Sequence, residues 1–262
     1  MIHVSIGGAN YLNRRRGNRH NLVHMKNLVP FLLLIVVSGC KKEQLAGPGD
    51  PFLIREITVN GKTDQVFEYN AENLLVKENV FSLCENNPSD ELSYTYVNGR
   101  VDKMNSVIRS LYSSTESICN PATGIHHELS FEYDDQQRIS RVIQSGSVTE
   151  FAYNAAGFIE KQTIGYNGSA YVFTYEYDGN GNIIRETDSE GKTTFYEYDN
   201  GKNPFYLIGQ RPAFVSPFNK SPNNVIKATG NQQFERQLTY NADGLPAEVT
   251  ETNGLIYVYH YQ

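Results

Sequence analysis

One short pattern constrains this chain more than any other: an aromatic residue, then any residue, then a tyrosine. It occurs as Phe67-Glu68-Tyr69, Tyr94-Thr95-Tyr96, Phe131-Glu132-Tyr133, Phe151-Ala152-Tyr153, Tyr175-Glu176-Tyr177 and Tyr196-Glu197-Tyr198. Leu238-Thr239-Tyr240 is a weaker copy, and Tyr259-His260-Tyr261 lies at the end of the sequence. Successive copies are 20 to 27 residues apart, apart from two intervals of 37 and 42. A polar turn follows most copies (NAEN, VNGR, DDQQR, NAAG, DGNG, NADG), and then an apolar residue: Leu74, Val101, Ile139, Phe158, Ile183 or Leu245. Alternation with period two is the mark of a strand, because successive side chains leave on opposite faces. In FTYEYD, Phe173, Tyr175 and Tyr177 share one face, and Thr174, Glu176 and Asp178 share the other. One apolar and one solvated face is the habit of antiparallel sheets. Asn, Asp and Gly in the turns supply the positive φ that tight hairpins need.

About eight such hairpins predict an all-β antiparallel meander of about sixteen strands. A lone hairpin is marginal in water, so its neighbours must stack beside it and bury a continuous face. Half of the sheet surface is aromatic, so the sheet is expected to curl on itself as an open or closed barrel-like structure. The composition agrees, with 18 Tyr, 13 Phe and no Trp, since Tyr and Phe favour pleated surfaces. A membrane-spanning porin is not expected, because such barrels turn their apolar face outward.

Tyr177-Asp178-x-x-Gly181-Asn182-Ile183 and Tyr198-Asp199 resemble the YD repeat of RHS-type proteins. Residues 55–262 as a whole resemble the short YD-repeat lipoproteins of the Bacteroidetes, related to a domain of unknown function with a porin-like fold. The resemblance implies hairpin architecture and no particular activity. RHS proteins proper are long shells around a C-terminal toxin, a role not expected of so short a chain. Tyr69, Tyr153 and Tyr240 are followed by Asn rather than Asp, and Tyr96 by Val, so the repeat reads as degenerate.

A second feature concerns address. From Met25, Lys26 gives a short basic start, Leu28 to Val37 an apolar run, and Ser38-Gly39 the small residues a signal peptidase requires. The run is too short to cross a bilayer, which takes about 20 apolar residues. Val37-Ser38-Gly39-Cys40 resembles a bacterial lipobox, which implies cleavage before Cys40 and a lipid on its sulfur. Residues 1–24 have no apolar period and read as a start-site overcall, 25–39 as the signal peptide, and 40–54 as a lipidated tether. Lys41-Lys42-Glu43 resembles the start of Bacteroidetes lipoproteins, which implies the outer membrane, on its periplasmic side or at the cell surface. The expected membrane attachment is thus the lipid on Cys40.

Residues 1–39 hold five basic side chains and no acid. Beyond them, 18 Lys and Arg face 29 Asp and Glu, a net charge of −11. Binding to a phosphate backbone rests on Lys and Arg, so no nucleic-acid partner is expected. With Cys40 lipidated, Cys84 and Cys119 remain, an even number in an oxidising compartment. They sit at similar strand-end settings and either pair as a disulfide or stay as two buried thiols.

The repeat is interrupted over 199–236, where Pro204, Pro212, Pro217 and Pro222 stand among Phe205, Tyr206, Phe214 and Phe218. Two readings stay open: a binding surface for a protein or glycan, built on these four aromatics, or a plug over an open end of the sheet. A second irregular stretch, 102–127, carries Cys119, His126 and His127. Adjacent histidines on a strand face opposite ways, so no metal site is expected there. Asp178-Gly-Asn180-Gly-Asn182 falls short of a calcium loop, which needs Gly sixth and Glu twelfth; here those are Ile183 and Ser189. The sequence contains no nucleophile elbow, zincin motif, P-loop or dinucleotide fingerprint. Glu132, Glu176 and Glu197 recur at the outward position of the repeat, the pattern of a solvated face. No catalytic residue and no cofactor is expected, and a glycan hydrolase is the least favoured reading.

Overall fold

The computed structural model describes residues 52–81, 84–112, 114–209 and 215–262. The leader, Cys40 and the tether up to residue 51 lie outside the described residues, as does Phe214. Sixteen strands form a meander: β1 (Ile54–Val59), β2 (Lys62–Tyr69), β3 (Leu75–Val80), β4 (Asp90–Val97), β5 (Arg100–Ile108), β6 (Ile125–Tyr133), β7 (Ile139–Gln144) and β8 (Ser147–Tyr153), followed by β9 (Ile159–Tyr166), β10 (Ser169–Tyr177), β11 (Ile183–Asp188), β12 (Thr193–Lys202), β13 (Asn223–Gly230), β14 (Phe234–Tyr240), β15 (Pro246–Glu251) and β16 (Ile256–Tyr261). Three four-residue helical turns interrupt them: α1 (Thr115–Ile118), α2 (Pro204–Leu207) and α3 (Pro217–Lys220). Each strand pairs with its sequence neighbour, and β1 pairs antiparallel with β16, so the sheet closes into a barrel. Closure removes the free edges that a sixteen-strand sheet would otherwise expose. Leu53 and Ile54 are fully buried in the core, so the domain begins two residues before the expected boundary at 55.

The tyrosine motif supplies the curvature. At seven of its copies the ladder slips by one residue beside the tyrosine, as at Glu68/Tyr69, Thr95/Tyr96 and Glu176/Tyr177. A bulge bends its strand and sharpens the local twist, so the repeat bends the sheet at regular intervals along one rim. The first aromatic of each motif points inward: Phe67, Tyr94, Phe131, Phe151, Tyr175 and Tyr196 are all under 10% exposed. Full burial of a Phe side chain contributes roughly 1.5–3 kcal/mol. The middle residue points outward, and there Glu132 pairs with Arg141, Glu176 with Arg185 and Glu197 with Lys227, at 2.7, 2.8 and 3.0 Å across neighbouring strands. The recurring glutamates are thus cross-strand partners on the solvated face.

The core has two clusters. One is built around Ile54, Ile57, Phe67, Leu92, Met104 and Phe151, the other around Tyr175, Ile183, Tyr196 and Val225. Ile159 on β9 and Val215, between α2 and α3, pack against both. Because the connections alternate between the two rims, the turns after the tyrosines share one rim with the 203–222 segment. The turns at 60–61, 145–146 and 167–168 share the other with the long loops after β3 and β5.

Candidate functional site

Side-chain chemistry explains why the tyrosine rim reads as it does. Seven tyrosine hydroxyls donate to a carbonyl at the start of the neighbouring strand, its first residue in every case but Val101, the second: Tyr69 to the Ile54 carbonyl at 2.9 Å, Tyr96 to Leu75, Tyr133 to Val101, Tyr153 to Ile139 and Tyr177 to Ile159 at 2.7 Å, Tyr198 to Ile183, and Tyr261 to Pro246. Burial pushes most of these phenols above the ordinary tyrosine range, and the nearby Glu78 carboxylate adds to the rise at Tyr69.

The residue after the tyrosine folds the turn. The Asp178 Oδ1 accepts from the amides of Asn180 and Asn182 at 2.9 and 2.8 Å. Asn70, Asp134, Asn154 and Asn241 each do the same two and four residues on. An Asn carbonyl accepts as an Asp carboxylate does, so the apparent degeneracy of the motif preserves its function; Tyr96 instead precedes a two-residue Asn98-Gly99 turn with both φ positive. Burial alone would raise the Asp178 carboxyl, but hydrogen bonds from Asn182 and the turn amides outweigh it and hold the carboxyl below its ordinary value. The calcium-like DGNGN segment is therefore one of these hairpin turns. Gly181, at φ +90°, also leaves room for the Phe158 ring, which a Cβ there would meet at 2.9 Å and which stacks on Tyr177 at 4.8 Å.

The irregular segment on this rim spans 203–222, narrower than the expected 199–236, because β12 continues to Lys202 and residues 223–236 resume the meander. Asn203 caps α2: its Oδ1 accepts from the Phe205 amide, and its Nδ2 donates to the Phe218 and Ser221 carbonyls at 2.7 and 2.8 Å. Buried Ser221 accepts from the Ile183 amide and meets the Tyr198 hydroxyl at 2.9 Å. Asn182 bonds both Asn223 and Asp178. These bonds draw the segment into the barrel. Phe205 packs against Phe67 and Tyr259 at ring distances of 6.5 and 6.1 Å, and Ile208 is buried in the first core cluster. Phe218 packs on Phe234 at 5.6 Å. Phe205 and Phe218, half-buried like Tyr206, thus pack against the two core clusters. Of the two readings of the insertion, the plug fits this geometry.

The opposite rim is built differently. Cys84 and Cys119 are joined by a disulfide with Cα atoms 5.5 Å apart. They do not sit at strand ends; Cys84 lies in the β3–β4 loop and Cys119 caps α1 in the β5–β6 loop. Arg109, only 4% exposed, bonds to the loops that the bridge joins. Its guanidinium donates to the Pro88, Pro121 and Thr123 carbonyls and pairs with Glu91 at 2.9 Å, so it ties together the same two loops. Nothing in the sequence marks this arginine, because its partners lie in two separate segments, 88–91 and 121–123.

Beside these loops an open depression of about 920 Å³ spans β6 to β10. Its walls include His126, His127, Glu128, Gln144 and Tyr166, with the Ser145-Gly146 and Asn167-Gly168 turns along the rim. His127 Nδ1 bonds Gln144 Nε2 at 2.8 Å, while its neighbour His126 is turned to solvent. Tyr166 is 61% exposed. The adjoining inner wall is polar: the buried Tyr175 hydroxyl donates to Gln162 at 2.9 Å, Tyr171 donates to Asp188 at 3.1 Å, and Glu186 lies between Tyr175 and Thr194. Burial and then the Asp188 charge raise Glu186 to about 7. Amides, imidazoles, hydroxyls and an exposed ring can hold a polar partner by hydrogen bonds and stacking. Among the described residues no His, Cys, Asp and Glu side chains converge as a metal site, and no helix is long and apolar enough to cross a membrane.

Among curated proteins none matches the chain. A crystal structure of a porin-like protein from Bacteroides uniformis is similar at 11% identity and a TM-score of 0.36, over 80% of this chain and 98% of that one. The Photorhabdus luminescens Tc holotoxin pore (14% identity, TM-score 0.30) and a TcdB2–TccC3 structure (11%, 0.32) resemble it over 71% and 73% of this chain. This chain spans only 9% of each of those toxin chains. The family model of the teneurin YD-shell matches residues 50–211, more than half of the sequence, and the chain belongs to that YD-shell family.

Proposed function

We propose that this protein is a lipid-anchored, non-enzymatic β-barrel scaffold of the bacterial outer envelope, which presents the rim opposite its tyrosine turns to a protein or glycan partner. The observation that carries this reading is the asymmetry of the barrel. The insertion on the tyrosine rim packs Phe205, Ile208 and Phe218 against the core, whereas the other rim keeps an open depression of about 920 Å³ beside the exposed Tyr166 ring. A non-enzymatic role is supported by the recurring glutamates, which are engaged by Arg141, Arg185 and Lys227 on the outer face. Anchoring rests on Val37-Ser38-Gly39-Cys40 and the apolar run before it. Several acyl chains, at about 0.8 kcal/mol per buried methylene, would hold the protein firmly on the membrane.

Two measurements test the two parts. Expressed in a lipoprotein-competent host, the chain is expected to be cleaved before Cys40, to gain acyl mass and to partition with outer membranes, while Cys40→Ser stays soluble and unacylated. Soluble, unmodified wild type would sink the anchoring. The purified barrel is then expected to co-sediment with isolated cell-wall sacculi or to bind a glycan array, at least about tenfold more weakly as Tyr166→Ala. A membrane-bound protein that binds neither of these, and to which no envelope protein cross-links through the Tyr166 rim, would be a purely structural envelope lipoprotein.

A further inference from the structure

Neighbouring strands around the wall pair over at least three residues, and β4–β5 and β8–β9 over eight and seven. One seam is thinner. β13 and β14 meet only at Lys227–Glu235 and Ala228–Phe234. Toward the tyrosine rim the two strands continue, β13 along β12 and β14 along β15, with no further register between them. A cavity of about 30 Å³ lies in the wedge, lined by Asn224, Val225, Arg236 and Leu238 with Phe205 and Phe218 of the plug.

Side chains bridge the gap that the backbone leaves. Here the tyrosine rule breaks: Tyr240 donates to the Asp199 carboxylate and not to the carbonyl at the start of β13. The same carboxylate accepts from the Gly201 amide at 2.9 Å, the Asn224 amide at 3.2 Å and the Asn224 side chain at 3.3 Å. One carboxylate thereby joins β12, β13 and β14. The Tyr240 ring lies over Gly201, where a Cβ would come within 2.5 Å of it. Deeper in the seam, the Arg236 guanidinium lies 4.6 and 4.8 Å from the Phe218 and Phe234 rings and pairs with Glu251.

We propose that β13–β14 is the seam at which the barrel wall opens, and that Asp199, with Tyr240 and Asn224, is its latch. Opening any other seam breaks a longer ladder. Here two register pairs and one side-chain hub separate, and opening bares two strand edges next to the plug. Local openings of this kind are read by amide exchange, because a weakly held unit opens far more often than the whole fold.

The test is hydrogen exchange on the full chain. In wild type the amides of Ala228 and Phe234, which bond across the seam, are expected to exchange at least about tenfold faster than the paired amides of β4, β5, β8 and β9. Asp199→Ala is expected to speed β13 and β14 by about a further tenfold and to leave β2 to β9 within about twofold. Tyr240→Phe keeps the ring over Gly201, removes only the hydroxyl, and gives the same pattern if Asp199→Ala does not fold. Equal protection at every seam would overturn the proposal, as would a latch variant that speeds exchange evenly around the barrel.

Discussion

Single residues set both the strengths and the weak points of this wall. A tyrosine hydroxyl that reaches the neighbouring strand and a carboxylate or amide that folds the next turn act within a few residues of each other, and the sequence repeats them together. Glu186 has no such local partner. It faces inward between Tyr175 and Thr194, and its carboxyl is raised from 4.5 to about 7. A carboxyl raised on folding contributes stability that is fully present below about pH 4.5 and lost as the pH rises through about 7. That interval is worth about 3 kcal/mol at 1.36 kcal/mol per decade. Glu186→Gln is therefore expected to match wild type at pH 4 and to exceed its stability by about 1–3 kcal/mol at pH 8, read from urea midpoints at the two values. Equal midpoints at pH 8 would show that the carboxylate is well solvated there.

At the scale of elements, most of the meander was legible. Period-two alternation and the Asx turns marked sixteen strands, because both are local effects of backbone pleat and positive φ. The 203–222 segment was legible only as an interruption. Its prolines and aromatics suit a partner surface and a plug equally, and what separates the two is contact with Phe67 and Tyr259, 138 and 54 residues away from Phe205. Phe205→Ala is expected to cost about 2–4 kcal/mol through the cavity it leaves, measured by denaturation, with no change in binding at the opposite rim. A loss of binding without loss of stability would return Phe205 to a partner surface. The Cys84–Cys119 bridge and the Arg109 clamp lie at the same limit. Two cysteines in similar settings can be seen in a sequence, but an arginine that serves the carbonyls of two loops cannot.

At the scale of the whole molecule, closure is the decisive event. Ile54 lies opposite Tyr261 and Val59 opposite Tyr257, so the last strand completes the wall started by the first. A chain cut after Leu255 would leave β1 and β15 as free edges and remove Tyr259 from the plug. It is expected to show no cooperative thermal transition and to bind a hydrophobic dye; a sharp transition near that of the intact chain would mean that the sheet is stable open. By itself the sequence determined the strands, their inner and outer faces, their turns and the curl of the sheet, because each follows from residues within about ten positions of one another. The tertiary structure alone decided that the barrel closes, that Phe205, Ile208 and Phe218 of the insertion pack against the core, that Arg109 joins two loops, and that Tyr240 turns to Asp199. Those outcomes depend on residues brought together from distant parts of the chain, and no local pattern encodes which distant partner a side chain will meet.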